Sequence, residues 1–379
     1  MTKTRLDPLS LLAGLAAGAG AALAAGALFQ RRPERAPAQL LVDRALSRAY
    51  WRAKARGAIR LGPRRRFVVF SDHHKGARNR ADNFRQCEAA YLAALGYYDE
   101  RDFTLILLGD AEELQEESPL SVTEAYANVL RREAAFHPGR LVRVYGNHDS
   151  IWQSPDAVRR WLDPFFPGIA FQEALLFEAA ESGGDEQTIG EVLLIHGHQG
   201  TIGSDLLGFL GPAVLPFYRG FQNLTGLGGT SPSRDACLRS KHDNRMYRWA
   251  SRQKRLILIA GHTHRPVWSS KTHLDKLTEE LYALLRLAPE FRPDNYSELV
   301  ANKKRELEDR QARYPPCDDI VKTRPAYFNT GCCRFEDGDI TGIELEDGEL
   351  RLVKWGARQG EICRFILEQS PLEELFLYL

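Results

Sequence analysis

The chain has 379 residues, enough for one large domain or two ordinary ones, and its 44% apolar and 27% charged residues exclude a disordered protein. The formal net charge of +1 gives no indication of a nucleic-acid partner. Six cysteines without a C-x-x-C pair argue against a disulfide framework. They predict reduced thiols, as is usual in a cytosolic domain.

Residues 1–30 are predicted to form an apolar anchor or signal segment. Pro8 to Phe29 is uncharged and long enough to cross a bilayer, although it consists mostly of Ala and Gly. A membrane anchor, a cleaved signal peptide ending near Ala25-Gly26-Ala27 and an Ala-rich helix all fit this pattern. Positions 31–66 are strongly basic, so an anchored chain is expected to keep its main domain at the cytoplasmic face of the membrane. Without an anchor, the protein is expected to be cytoplasmic.

Residues 31–65 are predicted to be a basic linker that contains an amphipathic helix. Small and apolar residues recur there at helical spacing: Leu41, Ala45, Leu46, Ala49, Tyr50 and Ala53. Such a helix either lies on anionic lipid or is a solvated linker. The first alternative predicts membrane association through residues 8–66.

The main domain is predicted to span residues 66–379. Apolar, mostly short segments predict strands at 67–70, 104–108, 141–145, 191–195, 256–259, 326–331, 340–345 and 350–355. Helical patterns occupy 82–98, 121–136 and 155–162. The alternation predicts βαβ units and a largely parallel sheet. Two inserts interrupt it, a cap-like one at 200–255 and a charged helical one at 267–323, with a helical hairpin over 273–313.

Five of the predicted strands end in the same way, with a Gly or a short turn followed by Asp, Asn or His. The motifs are Asp72-His73-His74, Gly109-Asp110, Gly146-Asn147-His148-Asp149, His196-Gly197-His198 and Gly261-His262-Thr263-His264. Each motif alone is also typical of a capped turn. The carboxyl ends of parallel strands meet in one crevice, however, so we expect the five motifs to converge. In an extended segment, residues i and i+2 point the same way, which would direct Asp72 and His74 to one centre.

The side chains in these motifs predict a metal site. Carboxylate, amide and imidazole ligands without thiolates argue against a structural zinc site. Seven ligands are too many for one ion, whereas two ions that share one carboxylate would each keep room for water and substrate. Two ions ~3.5–4 Å apart are the arrangement used for in-line displacement at phosphorus.

In order and spacing, the five motifs resemble the sequence blocks of the calcineurin-like metallophosphoesterases. The resemblance implies a four-layer α/β sandwich, in which two packed β-sheets are flanked by helices. It also implies two divalent metal ions, of which Mn²⁺ is favoured here, with Fe or Zn as alternatives. The implied metal ligands are Asp72, His74 and His264 for one ion, Asn147, His196 and His262 for the other, and Asp110 as the bridge.

The resemblance further implies catalytic roles. His148 would not bind metal but would protonate the leaving oxygen. Glu113 stands where family members carry the acid that orients this histidine. Asp149, the carboxylate that ends the same motif, is a third candidate catalytic residue.

Departures from the family pattern narrow the subfamily. The G-D-x-V-D-R-G block of the phosphoprotein phosphatases is missing, which disfavours a protein Ser/Thr phosphatase. The Gly261–Pro266 segment and the 200–255 insert are more similar to the UDP-diacylglucosamine pyrophosphohydrolases of lipid A synthesis. Those enzymes have Arg where His148 stands, and residues 267–323 have no counterpart there.

The predicted function is hydrolysis of a phosphate ester or pyrophosphate bond by in-line attack of a metal-bound hydroxide. A membrane-associated lipid-nucleotide pyrophosphatase and a non-catalytic membrane-surface scaffold with the same fold are the alternatives. The substrate is expected to be a phosphorylated small molecule or a lipid-linked one. Arg234, Arg239 and Arg245 of the 200–255 insert are predicted to bind its phosphate oxygens. The alternative for this insert is a small satellite core with a solvated basic helix.

Overall fold

The computed structural model describes residues 37–62, 65–80, 82–180, 187–200, 236–313 and 322–379. The chain divides into two compact units, Met1–Leu41 and Val42–Leu379. Of the first unit, only residues 37–41 are described, as the beginning of a helix. The predicted N-terminal anchor or signal segment and residues 201–235 of the cap-like insert lie outside the described residues. Within the described ranges, no helix is both long and apolar enough to cross a membrane.

The described residues contain nine α-helices. They are α1 (Pro37–Arg56), α2 (Phe84–Asp99), α3 (Pro119–Ala125), α4 (Ala127–Glu133), α5 (Pro155–Trp161), α6 (Ala236–Ala250), α7 (His273–Leu285), α8 (Tyr296–Arg313) and α9 (Leu372–Leu377). The predicted helix at 121–136 is in fact two, because Tyr126 departs from helical geometry with φ −116° and ψ 26°. The hairpin expected over 273–313 is present as α7 and α8, which contact each other.

Thirteen strands lie in the same described ranges. They are β1 (Ile59–Leu61), β2 (Phe67–Phe70), β3 (Thr104–Leu108), β4 (Leu141–Val144), β5 (Phe171–Gln172), β6 (Ala174–Ala180), β7 (Thr188–Ile195), β8 (Leu256–Ala260), β9 (Pro266–Val267), β10 (Tyr327–Thr330), β11 (Ile340–Glu346), β12 (Glu349–Arg358) and β13 (Glu361–Pro371). Both sheets that they form are mixed, whereas the alternation of strands and helices in the sequence predicted a largely parallel sheet. The presence of two sheets agrees with the family resemblance.

The seven-stranded sheet has the order β13-β12-β11-β2-β3-β4-β5. Its β2 to β5 part is parallel, as expected for strands joined by helical crossovers. Strands β11 to β13 continue it as an antiparallel meander. The β11–β12 turn has positive φ at both Asp347 (51°) and Gly348 (79°), the geometry of a type I′ hairpin.

The six-stranded sheet has the order β1-β6-β7-β8-β10-β9. Strands β7, β8 and β10 run parallel, so the segments after β7 and β8 leave the sheet at the same end. Strand β6 pairs antiparallel with β7. The sequence analysis predicted neither β6 nor β13, and it also missed β1, β5 and β9, which are only two or three residues long.

The two sheets pack against each other, and helices cover their outer faces. Side chains alternate along each strand, so Val69 and Ile106 face the other sheet while Val68 and Leu105 face the helices. Strand residues Phe177 and Ile257 of the six-stranded sheet belong to the core between the sheets. Helices, two sheets and helices therefore form four layers, which confirms the predicted α/β sandwich.

Helix α1 packs on the outer face of the six-stranded sheet through Val42, Leu46, Ala49 and Ala53, which are all buried. Its opposite side exposes Arg44, Arg48 and Trp51. One side is thus part of the folded domain. Association of the other side with lipid stays a prediction.

The cysteines depart in one respect from the expectation of reduced thiols. Cys87, Cys332, Cys333 and Cys363 are free, whereas Cys237 takes part in a disulfide. The sequence held no local C-x-x-C signal for that bond.

Candidate metal centre

The five motifs converge where both sheets end. The loops after β2, β3 and β4 come from neighbouring parallel strands of one sheet, and those after β7 and β8 from neighbouring parallel strands of the other. Backbone hydrogen bonds tie the loops together: the amide of His74 donates to Asp110 O (2.9 Å), and that of Gly261 to His196 O (2.9 Å). We call the side chains gathered here the ligand cluster: Asp72, His74, Asp110, Asn147, His148, His196, His262 and His264.

The ligand-bearing residues have an unusual backbone. Asp72, His74, His262 and His264 all have φ between 50° and 69°, in the left-handed region, and Asp110 has φ 50°. The sequence argument assumed an extended segment in which residues i and i+2 point the same way. The structure instead turns the chain at each ligand, a strained geometry that clusters at functional sites.

Glycines allow the loops to approach the carboxylates. A Cβ atom at Gly261 would meet Oδ2 of Asp72 at 2.5 Å, and one at Gly146 would overlap Oδ1 of Asp110. The residue before each of these ligand motifs therefore has to lack a side chain.

The first group of ligand atoms comes from Asp72, His74 and His264, which lie within 4.8 Å of one another. Nε2 of His264 is 3.1 Å from Oδ1 of Asp72, and the Nε2 atoms of His74 and His264 are 3.2 Å apart. The other oxygen of Asp72 accepts the backbone N–H of His262 at 2.9 Å. One carboxylate oxygen is thus fixed by the backbone, while the other faces two imidazoles.

The second group is formed by Asp110, His196 and His262, again within 4.8 Å. Nε2 of His196 is 3.1 Å from Oδ2 of Asp110. Nδ1 of His196 lies 2.9 Å from Leu108 O, which only accepts, so Nδ1 carries the hydrogen and Nε2 is left as a ligand atom. Asn147, the predicted third ligand of this ion, follows Gly146 on the loop beside Asp110.

Asp110 lies between the two groups. Its Oδ2 is 3.1 Å from His196 of the second group and 3.7 Å from Nε2 of His74 of the first. Its Oδ1 accepts the backbone N–H of His148 at 2.8 Å. This is the position that a bridging carboxylate would need. A third set of atoms at metal-ligand distances, from His74, Asp110 and His148, lies in the same region.

Four buried atoms of the ligand cluster have no hydrogen-bond partner in the described structure: Asp72 Oδ1, Asn147 Oδ1, His196 Nε2 and His262 Nε2. Buried polar atoms are almost always paired, because an unpaired one costs about 1–3 kcal/mol. They are the oxygen and imidazole donors that divalent ions accept. The residues present therefore fit two divalent ions.

Carboxylates concentrate negative charge at this centre. Burial alone would lower the pKa of His196, but the Asp110 and Asp72 carboxylates outweigh it and raise that pKa to about 10. Burial is likewise outweighed at His74, where Asp72 and Glu113 raise the pKa to about 9. Burial lowers the pKa of His262 and His264 in the same cluster, so the negative charge acts mainly on His74 and His196. The same negative charge attracts divalent cations.

Glu113 holds two histidines at once. Its Oε1 is 2.7 Å from Nδ1 of His148, and its Oε2 is 2.7 Å from Nδ1 of His74. Burial raises the pKa of Glu113, but His148 and His74 together bring it well below its usual value. Both Nδ1 atoms therefore donate to a carboxylate. Nε2 of His74 is then the atom that can bind a metal ion, and Nε2 of His148 the atom that can transfer a proton.

Asp149 is fully buried and accepts two backbone amides. Its Oδ1 accepts from Gly146 (2.6 Å) and its Oδ2 from Ala111 (2.9 Å). Asp149 thus ties the loop after β3 to the loop after β4. A direct catalytic part for it stays a prediction.

Helix α6 brings part of the cap-like insert to the centre. The ring of His242 lies 5.1 Å from that of the ligand His262, and its Nε2 is 2.7 Å from Gly197 O. Arg239 and Arg245 lie half-buried on the same helix, and their predicted contact with substrate is untested. Arg234 lies outside the described residues.

A second group of charged residues, which the sequence analysis missed, lies beside the ligand cluster. We call it the charge network: Lys75, Glu112, Glu133 and Arg143, with Tyr91 and Trp152. The four charged side chains are fully buried. Lys75 directly follows His74, and Glu112 lies two positions after Asp110. Their partners Glu133 and Arg143 are far away in the sequence, so no local motif predicts the network.

The comparisons with known proteins agree with this geometry at the level of the family. The sequence pattern of the family described as calcineurin-like phosphoesterase matches residues 65–266, which is more than half of the chain. Among curated proteins, none matches the chain. The UDP-diacylglucosamine branch is not shown by these comparisons.

Solved structures similar to the chain include Vacuolar Protein Sorting 29 from Cryptosporidium parvum, with 14% identity and a TM-score of 0.30 over 81% of this chain and 98% of that one. A single mutant of Vps29 from Entamoeba histolytica has 12% identity and a TM-score of 0.29 over 80% and 99% of the two chains. The family match over residues 65–266 contains all seven proposed ligands, and the chain belongs to the calcineurin-like phosphoesterases.

Proposed function

We propose that the protein is a two-metal phosphoesterase that hydrolyses a phosphate ester or diphosphate bond. The observation that carries the proposal is the pair of ligand groups on either side of Asp110, in which four buried donor atoms make no hydrogen bond within the described protein. When bound there, two divalent ions supply Lewis-acid activation of the phosphate and of the attacking water. Mixed imidazole and carboxylate ligands favour Mn²⁺, with Fe or Zn as alternatives.

His148 is the proposed general acid. Its side chain is 22% exposed, compared with 4% for His74 and none for His196, so it is the histidine of these three that a substrate reaches most easily. Glu113 accepts the Nδ1 hydrogen and fixes the ring, and Nε2 is then the atom that gives a proton to the leaving oxygen. The proposed substrate is a phosphorylated small molecule or a lipid-linked one. Arg239 and Arg245 of α6 are proposed to bind substrate beyond the metals.

Hydrolysis of chromogenic phosphate esters by purified protein with added Mn²⁺ tests this function. We expect turnover that a chelator abolishes and that Mn²⁺ restores. The Asp156→Asn variant, which changes an exposed carboxylate on α5 that belongs to none of the ligand groups, should match the wild type. Bound metal without hydrolysis of monoesters, diesters or diphosphates would instead favour the non-catalytic scaffold.

Attachment to a membrane surface is a second candidate role for the N-terminal part of the chain. The exposed side of α1 presents Arg44 and Arg48 beside Trp51, whose exposed fraction is 62%. Basic side chains with an interfacial aromatic ring are typical of helices that lie on anionic lipid. This candidate places the enzyme at the cytoplasmic face of a membrane.

Flotation with liposomes of neutral and anionic lipid tests the second role. We expect the chain to float with anionic liposomes, and the Arg44→Glu, Arg48→Glu double variant to lose that preference. Equal flotation of the variant and the wild type would remove α1 as the contact. Loss of flotation on deletion of residues 1–36 alone would place the contact in that segment.

A further inference from the structure

The loop between β8 and β9 supplies one ligand to each proposed ion. His262 belongs to the second ligand group and His264 to the first. Both have positive φ, 69° and 55°, and a non-glycine backbone in this region persists only where its surroundings hold it in place. Thr263, between them, is fully buried, so the protein and not solvent has to hold this loop.

Asp243 of helix α6 holds the loop at two residues. Its side chain is only 1% exposed. Its Oδ1 accepts the hydroxyl of Thr263 at 2.9 Å, and its Oδ2 accepts Nε of Arg265 at 3.2 Å together with Nη2 of the same guanidinium. Thr263 follows His262, and Arg265 follows His264. One buried carboxylate therefore fixes the residue after each ligand.

Strand β10 also holds the loop. Nδ2 of Asn329 donates to Gly261 O at 2.6 Å and lies 3.2 Å from Oγ1 of Thr263. The hydroxyl of Tyr327 donates to Oδ1 of Asp243 at 2.9 Å. The hydroxyls of Thr263 and Tyr327 therefore share one acceptor, and these hydrogen bonds end at the carboxylate of Asp243.

Helix α6 contacts a second ligand-bearing loop as well. Nε2 of His242 is 2.7 Å from Gly197 O, which only accepts, so Nε2 carries the hydrogen. Gly197 directly follows the ligand His196. Near its C-terminal end, the helix is anchored by the buried Trp249, whose indole N–H donates to Ser47 of α1 at 3.0 Å. Helix α6 is thus fixed to the domain and contacts the loops that carry three histidine ligands.

We infer that Asp243 is a positioning residue for both metal ions, and that it acts through the loop at 261–265. The inference rests on the proposed two-metal function. Asp243 belongs to none of the described ligand groups, so its effect on the ions has to pass through this loop. Without the carboxylate, Thr263 and Arg265 lose the acceptor that fixes them, and the strained backbone of both histidine ligands can relax. Loss of Asp243 therefore weakens both ions together, whereas loss of a ligand to one ion weakens mainly that ion.

Calorimetric titration of the metal-free protein with Mn²⁺ measures this effect. Asp243→Asn keeps the size of the side chain but presents an amide donor in place of one acceptor oxygen. We expect it to lower the affinity for both ions about 10- to 100-fold, as is typical when the partner of a metal ligand is removed. Asn147→Ala, which removes a proposed ligand of the second ion, should weaken that ion more than the first.

A spectroscopic readout separates positioning from stability. The visible absorption of bound Co²⁺ depends on the number and geometry of its ligands, so the spectrum of Asp243→Asn at saturating Co²⁺ should differ from that of the wild type. Asp99→Asn is the matched control. Asp99 also accepts from arginines, Arg132 at 3.0 Å and Arg140 at 2.8 Å, but it precedes β3, whereas the ligands follow the other end of that strand. This control should lower thermal stability and leave the affinities and the spectrum unchanged.

The hydroxyl of Thr263 provides a second pair of variants if Asp243→Asn does not fold. Thr263→Val keeps the shape of the side chain but cannot donate to Asp243, so it should weaken both ions in the same way. Thr263→Ser keeps the hydroxyl and should recover most of that loss, because the hydrogen bond and not the methyl group holds the loop.

The outcomes separate this inference from the proposed function. If the wild type binds two metals but hydrolyses no phosphate ester, the proposed function fails, and positioning by Asp243 is still decided by the metal affinities. If Asp243→Asn binds either ion as tightly as the wild type or gives the same Co²⁺ spectrum, the inference is overturned. Equal metal affinities of Thr263→Val and Thr263→Ser would overturn it as well.

Discussion

The ligand cluster and the charge network lie next to each other, and their charges are used in opposite ways. In the ligand cluster, four buried donor atoms have no partner, and the carboxylates of Asp72 and Asp110 face several imidazoles. In the charge network, Glu112 accepts from Arg143 (2.6 Å) and Trp152 (2.9 Å), and Lys75 donates to Glu133 (2.7 Å). The ligand cluster thus has donor atoms available to a ligand. In the charge network every charged side chain pairs with an opposite charge of the protein, although Glu133 Oε2 and Arg143 Nε and Nη1 make no hydrogen bond there.

The difference separates function from stability. Removing a ligand from the cluster should abolish metal binding with little loss of folding energy, since such atoms are already unpaired. Removing a member of the charge network should leave a buried charge without its partner, which costs stability. Variants in the two regions therefore test whether the ligand cluster and the charge network have separate roles.

The largest effect is expected from Asp110→Asn. The amide of this variant would keep the size of the side chain but not the charge that both ligand groups share, so both metals should be lost and activity should fall to background. Metal analysis and thermal unfolding of the same sample check this, and the melting temperature of the metal-free variant should match that of metal-free wild type. An unchanged metal content would refute the bridging role.

His148→Ala should come next, with a loss of about 10²–10⁴-fold in kcat and normal metal content. The loss should be smaller for nitrophenyl esters than for alkyl esters, because a good leaving group needs no proton. His273→Ala, a change at an exposed histidine of α7, should have no effect. An equal loss for both classes of leaving group would count against the acid role.

The same comparison shows what the sequence could reveal. Each ligand follows a strand within a few residues, as in Gly146-Asn147-His148, so the fold class and the ligand cluster follow from local patterns. The pairings of the charge network join Lys75 to Glu133 and Glu112 to Arg143, which only the assembled sheet brings together.

The mixed sheets illustrate a second limit. Apolar segments predicted where strands form, but direction and order depend on pairing partners. Strand β6 lies antiparallel to β7 through contacts such as Leu176 with Leu193, which neither segment specifies alone. The sequence therefore predicted eight strands near their observed positions but not the order and direction of the strands within the two sheets.

Arg143→Met should lower stability by about 3–5 kcal/mol, because Glu112 loses the Arg143 Nη2 group that donates to both of its oxygens, and its buried charge keeps only Lys75 as an opposite charge. Below the new melting temperature, kcat should stay within a few-fold of the wild type. The double variant Glu112→Gln, Arg143→Met should be more stable than Arg143→Met alone, since both ends of the pair are then neutral. Arg159→Met, at an exposed pair, should cost less than about 1 kcal/mol. A double variant as unstable as Arg143→Met would show that packing, not charge, is lost.

The smallest effect and the sharpest contrast come from the adjacent residues Glu112 and Glu113, which belong to different regions. Glu113→Gln leaves one acceptor oxygen where His74 and His148 need two, so it should lower metal affinity and kcat about 10- to 100-fold, as expected for a partner of a metal-binding histidine. Glu112→Gln should instead lower the free energy of unfolding and spare both metal affinity and kcat, because its side-chain contacts are with Arg143, Lys75 and Trp152. Calorimetric metal titration, steady-state kinetics and denaturant unfolding of the two variants measure all three quantities. If Glu112→Gln lowers metal affinity and kcat as strongly as Glu113→Gln at unchanged stability, the ligand cluster and the charge network do not have separate roles. A shift in the loop after β3 would then displace the side chains of both regions.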